Sequence, residues 1–428
     1  MTATDAHART TDAALRARAA AVIPGGMYGH QSAAGLPAAF PQFMARGAGA
    51  RVWDVDGREY VDLMCSYGPV ILGHHHPMVE AAAEAQRQEG DCQNAPSPRM
   101  VELAEALTAT VAHADWAMFA KNGTDATTLA LMIARAATGR RKILAARGSY
   151  HGSAPWCTPR PGGVTAEDRA NMGYFTYNDL ASAQQAADAA GGDLAGVIVT
   201  PFRHDIGQDQ ELADPEFARG LRALCDRTGA ALILDDVRCG FRLHLGSSWE
   251  PLGVAPDLSA WSKAIANGYA LAAVLGGDAF RHGATEVFTT GSFWFSAVSM
   301  AAGLATLAAL AEEDAVATMT ACGQALRDGL AEQAARYELA IRQTGPPQMP
   351  WLRFTADQDF ILANTFAGEA ARRGAFLHPR HNWFVSAATT QADLDMALDA
   401  TDHAFAAVRR HIDAGLPTQT GGGPRRTP

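Results

Sequence analysis

The chain has 428 residues, 48% hydrophobic and 19% charged, the composition of a globular protein too long for one small core. Its net charge of −10 excludes a basic surface for nucleic acid or an anionic membrane. No run of about 18 apolar residues supplies a membrane span, and the N-terminal MTATDAHARTTDAALRARAA has no apolar stretch of a secretory signal.

Residues 1–12 are polar and read as loose. Ala13–Val22 reads as a short helix ending before Pro24-Gly25-Gly26, and Gly25–Gly49, rich in Gly, Ala and Pro, as irregular chain. Ala50–Asp62 has two alternating runs around Asp56-Gly57, a hairpin signal. Ser66–Pro77 is loop-like and leads to a helix over Met78–Glu89. Its three consecutive histidines, His74–His76, cannot share one face, and no carboxylate follows at ligand spacing, so no metal is expected. A helix over Ser97–Val111 and a strand over Trp116–Phe119 follow, then Lys121–Asp125 opens a helix from Ala126 to Thr138, closed by Gly139.

Lys142–Ala146 is strand-like and runs into Arg147–Gly152, followed by a long Pro- and Gly-rich loop to Gly173. Leu194–Thr200, Ala230–Leu234 and Leu271–Leu275 are apolar runs of strand length. Pro215–Thr228 is a helix between the first two, begun by a proline and stopped by Gly229. Strands alternating with helices predict a mostly parallel sheet covered on both faces. Beyond residue 298 the pattern becomes a separate α+β lobe. Its helices are expected at Val298–Glu312, Ala315–Arg336, Phe360–Arg373 and Gln391–Ile412, and its strands at Trp351–Phe354 and Phe384–Ala387. Residues 414–428 read as a disordered tail. The six cysteines are scattered with no CxxC pair, which argues for reduced thiols in a cytoplasmic protein rather than a disulfide framework or zinc site.

Several stretches carry candidate chemistry. In PDLSAWSKAIANG, Lys263 sits among apolar and small residues. In AALILDDVRCG a buried run ends in Asp235 and Asp236, where parallel sheets place ligands and where an acid needs a cation or hydrogen-bond donors. A pyridinium nitrogen would be such a partner; a helix cap or an ion pair with Arg238 or Arg242 is the alternative. Asn122-Gly123-Thr124 follows a strand and opens a helix, an anion site by its free N–H groups, although Thr124 is equally an ordinary N-cap. Tyr150-His151 offers an aromatic that could stack on a flat ring or pack in the core. Gly291–Ser296 combines hydroxyls with aromatics, for phosphate or for an interface. An anion cup, an aromatic, a strand-end aspartate and then a lysine is the order that a Schiff-base cofactor needs.

The stretches VWDVDGREYVD, SYGPVILGHHHP, NGTDATTLALMIARAATGRRKI, SYHG, ILDDVRCGFR and PDLSAWSK, spread over about residues 24 to 303, resemble the class III pyridoxal-phosphate enzymes. The nearest likeness is to glutamate-1-semialdehyde aminomutase. The resemblance implies the α/β fold of type I pyridoxal-phosphate transferases: a mostly parallel central sheet flanked by helices, plus a smaller α+β domain. The domains expected are an N-terminal segment of residues 1–60 joining the small domain, a cofactor-binding domain of residues 61–300 and a small domain of residues 301–413. By position, Lys263 is then the Schiff-base lysine and Asp235 the partner of the pyridinium nitrogen. Asn122, Gly123 and Thr124 hold the phosphate, and Tyr150 stacks on the ring with His151 beside it. Thr290 and Ser292 reach the phosphate of the neighbouring subunit of a homodimer, and Tyr67 lies over the substrate.

The chain departs from the family pattern in three places. It has Asp235-Asp236 where the family reads DE, no arginine in PGGMYGHQS, and HPRHNWFVS where the aminomutase has a glutamate loop. Arg380 is the replacement candidate for gripping a substrate carboxylate. The reading is an aminotransferase of small amine and oxo substrates in specialised metabolism. Its alternatives are an intramolecular aminomutase and a non-catalytic binding subunit.

Overall fold

A computed structural model describes residues 10–418. The chain divides into two units. The larger holds Gly68–Leu72 and His76–Thr318; the smaller holds the chain up to Tyr67, Gly73–His75 and the chain from Met319 onward.

The larger unit is built on a seven-stranded sheet. Across it the strands run Trp116–Ala120, Ala272–Gly276, Leu258–Trp261, Ala231–Asp235, Leu194–Val199, Lys142–Ala146 and Met172–Phe175. Ala272–Gly276 is antiparallel to both its neighbours; every other pairing is parallel. The continuous apolar runs are explained by burial on both faces: all six residues of Leu194–Val199 are buried. Successive residues feed opposite faces. Leu144, Val197, Leu232 and Leu234 join one apolar cluster with Phe217, Leu221 and Leu224 of the helix Pro215–Thr228. Ile143, Ile198, Ala231 and Ile233 join another with Leu129, Ile133 and Ala134 of the helix Gly123–Thr138. Pro215–Thr228 starts where Asp214 accepts from the N–H groups of Glu216 and Phe217, and stops at left-handed Gly229 (φ 66°).

The smaller unit combines two sheets with long helices. The hairpin read around Asp56-Gly57 pairs Arg51–Asp54 with Glu59–Asp62, and it is extended by Met44–Ala48 on one side and Ala375–Phe376 on the other. Met44–Ala48 lies in the segment expected to be irregular; it is exposed, and its sequence MARGA gives no strand signal. Ile341–Thr344 pairs with Trp351–Phe354. The helices Ile361–Arg372 and Gln391–Asp413 pack together through Phe366, Phe405 and alanines.

Four expectations need correction. Ala297–Glu312 belongs to the larger unit, not to the C-terminal lobe: apolar around most of its circumference, it packs on the helix Pro77–Glu89 and on the turn after Lys263. The first boundary comes after Tyr67 instead of at residue 60, and the last begins at Met319 instead of 301. Phe384–Ala387 forms no strand, because Phe384 N–H donates to Leu63 and Val385 N–H to Gln348, two different partners rather than one ladder. The strand Met172–Phe175 and the helix Leu180–Ala190 were not anticipated; the first is hidden by its Met-Gly start, the second by its alanine-rich sequence. The expected tail lies, from residue 419, outside the described residues. Among the described residues no helix is long and apolar enough to cross a membrane.

Candidate active site

The carboxyl ends of the parallel strands of the larger unit converge on one group of side chains. Asp235 is the last residue of its strand and pairs in register with Ala260; Lys263 follows three residues later. The Trp116–Ala120 strand ends at the same edge and delivers Asn122–Thr124, and Lys142–Ala146 delivers Tyr150–His151.

Lys263 begins a short 3₁₀ turn, Lys263–Ala266, with φ at 49°. A left-handed lysine is strained, and such residues concentrate at functional sites. Ala264, Ile265 and Ala266 behind it are buried, and Gly303 lies so close that a Cβ there would come within 3.4 Å of the Ile265 carbonyl oxygen. Loss of water, reinforced by the Arg238 guanidinium and opposed by Asp235 and Cys239, pulls the Lys263 amine down from 10.5 to about 7. The result is an amine of which about half is uncharged at pH 7, and the uncharged form is the one that attacks a carbonyl.

Asp235 is buried. Its Oδ2 accepts from His151 Nδ1 at 2.7 Å and its Oδ1 from the Val237 N–H at 3.2 Å. The His151 ring stacks on Trp156, and its Nε2 is buried with no hydrogen-bond partner. Asp236 points elsewhere: Oδ2 takes long bonds from Ser247 Oγ and Ser248 N–H, and Oδ1 has no partner. Burial raises the Asp236 carboxyl from 3.8 to about 7. Asp235 is thus the acid tied to His151, and Asp236 is the one whose carboxyl burial holds up near 7.

At the helix start the cap is Asn122, not Thr124. Asn122 Oδ1 accepts from the Asp125 N–H, and the Asp125 carboxylate returns to the Asn122 N–H, a capping box. The Asn122 side chain is therefore engaged, whereas the first-turn N–H groups of Gly123 and Thr124 have no use within the helix. Thr124 Oγ1 accepts from the Ser153 N–H at 3.2 Å. Two glycines keep this corner open. A Cβ on Gly123 would lie 2.6 Å from Val237, and one on Gly152 (φ 123°) would lie 2.5 Å from Thr124 Oγ1. Tyr150 is half-buried beside Asp235 and Arg238, and burial raises its hydroxyl.

Lys263, Asp235, His151, Tyr150, Gly123 and Thr124 are brought together in this way. Thr290 and Ser292 belong to the same unit but are exposed, and among the described residues no hydrogen bond ties either to the group. Tyr67 and Arg380 belong to the smaller unit. Tyr67 donates its hydroxyl to the His30 carbonyl at 2.7 Å and touches the rings of His30, His378 and His381; burial pushes its phenol up to about 12. Arg380 donates to the Gly35 carbonyl and lies over Phe360. Of the three histidines from 74 to 76, His74 pairs with Asp62 and His76 with Glu313. Trp156 was not singled out, because its loop offers no spacing that marks it, and Arg238 was named only as an ion-pair alternative for the strand-end aspartates.

The group suits pyridoxal phosphate. A carboxylate at the strand end would meet a protonated ring nitrogen, the first-turn N–H groups of Gly123 and Thr124 stand with a hydroxyl at a helix start beside two glycines, and the Lys263 amine is close enough to Asp235 to feel its charge. The aminotransferase class-III family model matches residues 34–346. The aminopentol aminotransferase of Sphingopyxis macrogoltabida is 52% identical over 94% of this chain and 96% of its own length. The glutamate-1-semialdehyde 2,1-aminomutase of Desulfatibacillum aliphaticivorans is 32% identical over 91% of this chain and 97% of its own. A solved PLP form of the FumI protein of Sphingopyxis sp. MTA144 superposes with a TM-score of 0.94 at 51% identity, covering 96% of this chain and 99% of that one. The chain belongs to the class III aminotransferases and is a pyridoxal-phosphate-dependent enzyme of amino-group transfer.

Proposed function

We propose that the enzyme takes the amino group from a polyhydroxylated amine of the aminopentol kind and delivers it to a 2-oxo acid. The observation that carries this reading is the 52% identity to an aminopentol aminotransferase over nearly the whole of both chains. The missing arginine in PGGMYGHQS and the engagement of Arg380 with Gly35 fit a donor without a carboxylate.

Pyridoxal phosphate supplies an aldehyde that captures the amine and a ring that disperses the electrons left when the amine-bearing carbon loses its proton. The chain's own residues do the rest. Lys263 Nζ, about half uncharged at pH 7, would hold the aldehyde of the bound cofactor and, once released, would move the proton of the donor's amine-bearing carbon. Asp235, braced by His151, keeps the ring nitrogen protonated. The Gly123 and Thr124 N–H groups and the Thr124 hydroxyl bind the phosphate, and Tyr150 covers the ring. The family resemblance assigns Tyr67 to substrate binding.

A homodimer belongs to the same proposal, with Thr290 and Ser292 of one copy reaching the phosphate held by the other. Phe288 and Phe293, 86% and 66% exposed on that segment, favour an interface there. The scattered thiols fit a cytoplasmic setting.

The test is to incubate purified enzyme with aminopentol, with and without pyruvate, and to follow the ketone and alanine by mass spectrometry. Ketone and alanine in equal amounts, only when pyruvate is present, is the expected result. Turnover indifferent to pyruvate would favour the intramolecular aminomutase, and no turnover of the polyol amine would overturn the substrate.

A further inference from the structure

Lys121 lies one residue before the helix cap Asn122, beside the Gly123 and Thr124 N–H groups, and has no part in the mechanism above. It is the only basic residue between Trp116 and Ile133. That helix start already carries a negative charge. The Asp125 carboxylate accepts from the backbone N–H groups of Lys121 and Asn122 and from the Asn122 side-chain amide. Asp125 completes the capping box, so the helix start depends on it. An acid in the first turn suits the helix dipole but repels a phosphate bound at the same place. A positive charge beside the cup would offset that repulsion.

Lys121 is placed to supply it. Its half-buried ammonium donates to the Ala270 carbonyl oxygen at 2.6 Å and to Ser299 Oγ at 3.2 Å. Both acceptors are uncharged, and among the described residues the ammonium forms no ion pair. Ser299 Oγ is 3.2 Å from Ser296 Oγ, which donates to Asp91 Oδ1 at 2.7 Å. The same Asp91 oxygen accepts from the Val298 N–H at 3.1 Å. The Asp91 charge is thus engaged with the start of the helix Ala297–Glu312, two hydroxyls away from the lysine. These contacts hold Nζ in one place. Burial lowers the Lys121 amine from 10.5, while Asp91 and Cys92 favour its charged form. All of these residues belong to the larger unit.

We propose that Lys121 is a positioning residue for the cofactor's phosphate. Fixed by Ala270 and by the Ser299–Ser296–Asp91 run of hydrogen bonds, it offsets the Asp125 carboxylate and makes the site select the phosphorylated cofactor. The proposal rests on the reading that Gly123 and Thr124 bind the phosphate. It needs no contact between Lys121 and the phosphate, because a fixed charge beside a partly buried site acts over several ångströms.

The experiment strips the full-length enzyme of cofactor and titrates it with pyridoxal phosphate and, separately, with pyridoxal, which lacks the phosphate. The visible absorption band reports binding. Wild type is compared with Lys121→Met, Lys121→Arg and Thr124→Val. Lys121→Met should lose affinity for pyridoxal phosphate on the order of tenfold and keep its affinity for pyridoxal within about twofold. Lys121→Arg returns the charge and should recover most of the loss. Equal loss of both compounds in Lys121→Met would make Lys121 a brace of the fold and overturn the proposal. If Thr124→Val loses the preference for the phosphorylated compound while Lys121→Met keeps it, the proposal falls and the phosphate reading stands. If neither variant changes the preference, the reading of the helix start falls and the proposal with it.

Discussion

The setting of Lys263 makes a quantitative prediction about cofactor capture. A lysine at 10.5 is uncharged in about three of ten thousand molecules at pH 7. Lys263, held at about 7 by loss of water and by Arg238, is uncharged in about half of them. The gain in reactive amine is on the order of a thousandfold, equivalent to about 4 kcal/mol. Deprotonation creates the nucleophile, so capture should accelerate as the pH rises and level off above the folded value. The assay strips the enzyme of cofactor, adds pyridoxal phosphate between about pH 5.5 and pH 10, and follows the visible absorption band by stopped flow. Lys263→Ala defines the background, which contains the titration of the free cofactor. The difference between the two proteins should show a midpoint near 7. A midpoint near 10, or no difference from Lys263→Ala, would refute the claim that burial and Arg238 prepare this amine.

Three further outcomes follow from the same geometry. Asp235→Asn keeps a side chain against His151 but loses the charge, so the first half-reaction should slow on the order of a hundredfold or more in single-turnover measurements. Gly152→Ala sets a Cβ at 2.5 Å from Thr124 Oγ1 at φ 123°; it should cost about 1–3 kcal/mol and weaken cofactor retention on dialysis, and an unchanged off-rate would separate this corner from the phosphate. Asp236 titrates at about 7 in the folded protein against 3.8 for an ordinary aspartate. Because the folded value is the higher one, its stabilising contribution is complete below about pH 4 and is lost as the pH rises through 7. Asp236→Asn cannot ionise, so its stability relative to wild type should improve from about pH 5 to pH 8 by on the order of 3 kcal/mol in denaturant titrations, and a pH-independent difference would contradict it.

Much of the larger unit was legible because its signals are local. Apolar runs of strand length, Pro215 at a helix start and Gly229 at its end each depend on a few neighbouring residues, and the structure has them where the sequence reading puts them. Met44–Ala48 and Ala297–Glu312 were misread for the opposite reason. The first is an exposed strand held by pairing with Arg51–Asp54 and carries no pattern of its own. The second is apolar nearly all round, so its sequence names no particular neighbour; the helix it meets, Pro77–Glu89, begins some 220 residues earlier.

The site divides along the same line. By itself the sequence determined which residues could do the chemistry, a lysine in an apolar turn, acids ending a buried strand and a helix start after a strand, because those depend on residue type and short spacing. Only the tertiary structure decided between neighbours of the same type. Asn122 and not Thr124 caps the helix, Asp235 receives His151 from 84 residues away, and Asp236 is left buried with its carboxyl raised. Strand order sets those distances, and charge and burial act through distance, so adjacent aspartates that look alike in sequence end in different settings, one against His151 and the other with its carboxyl raised by burial.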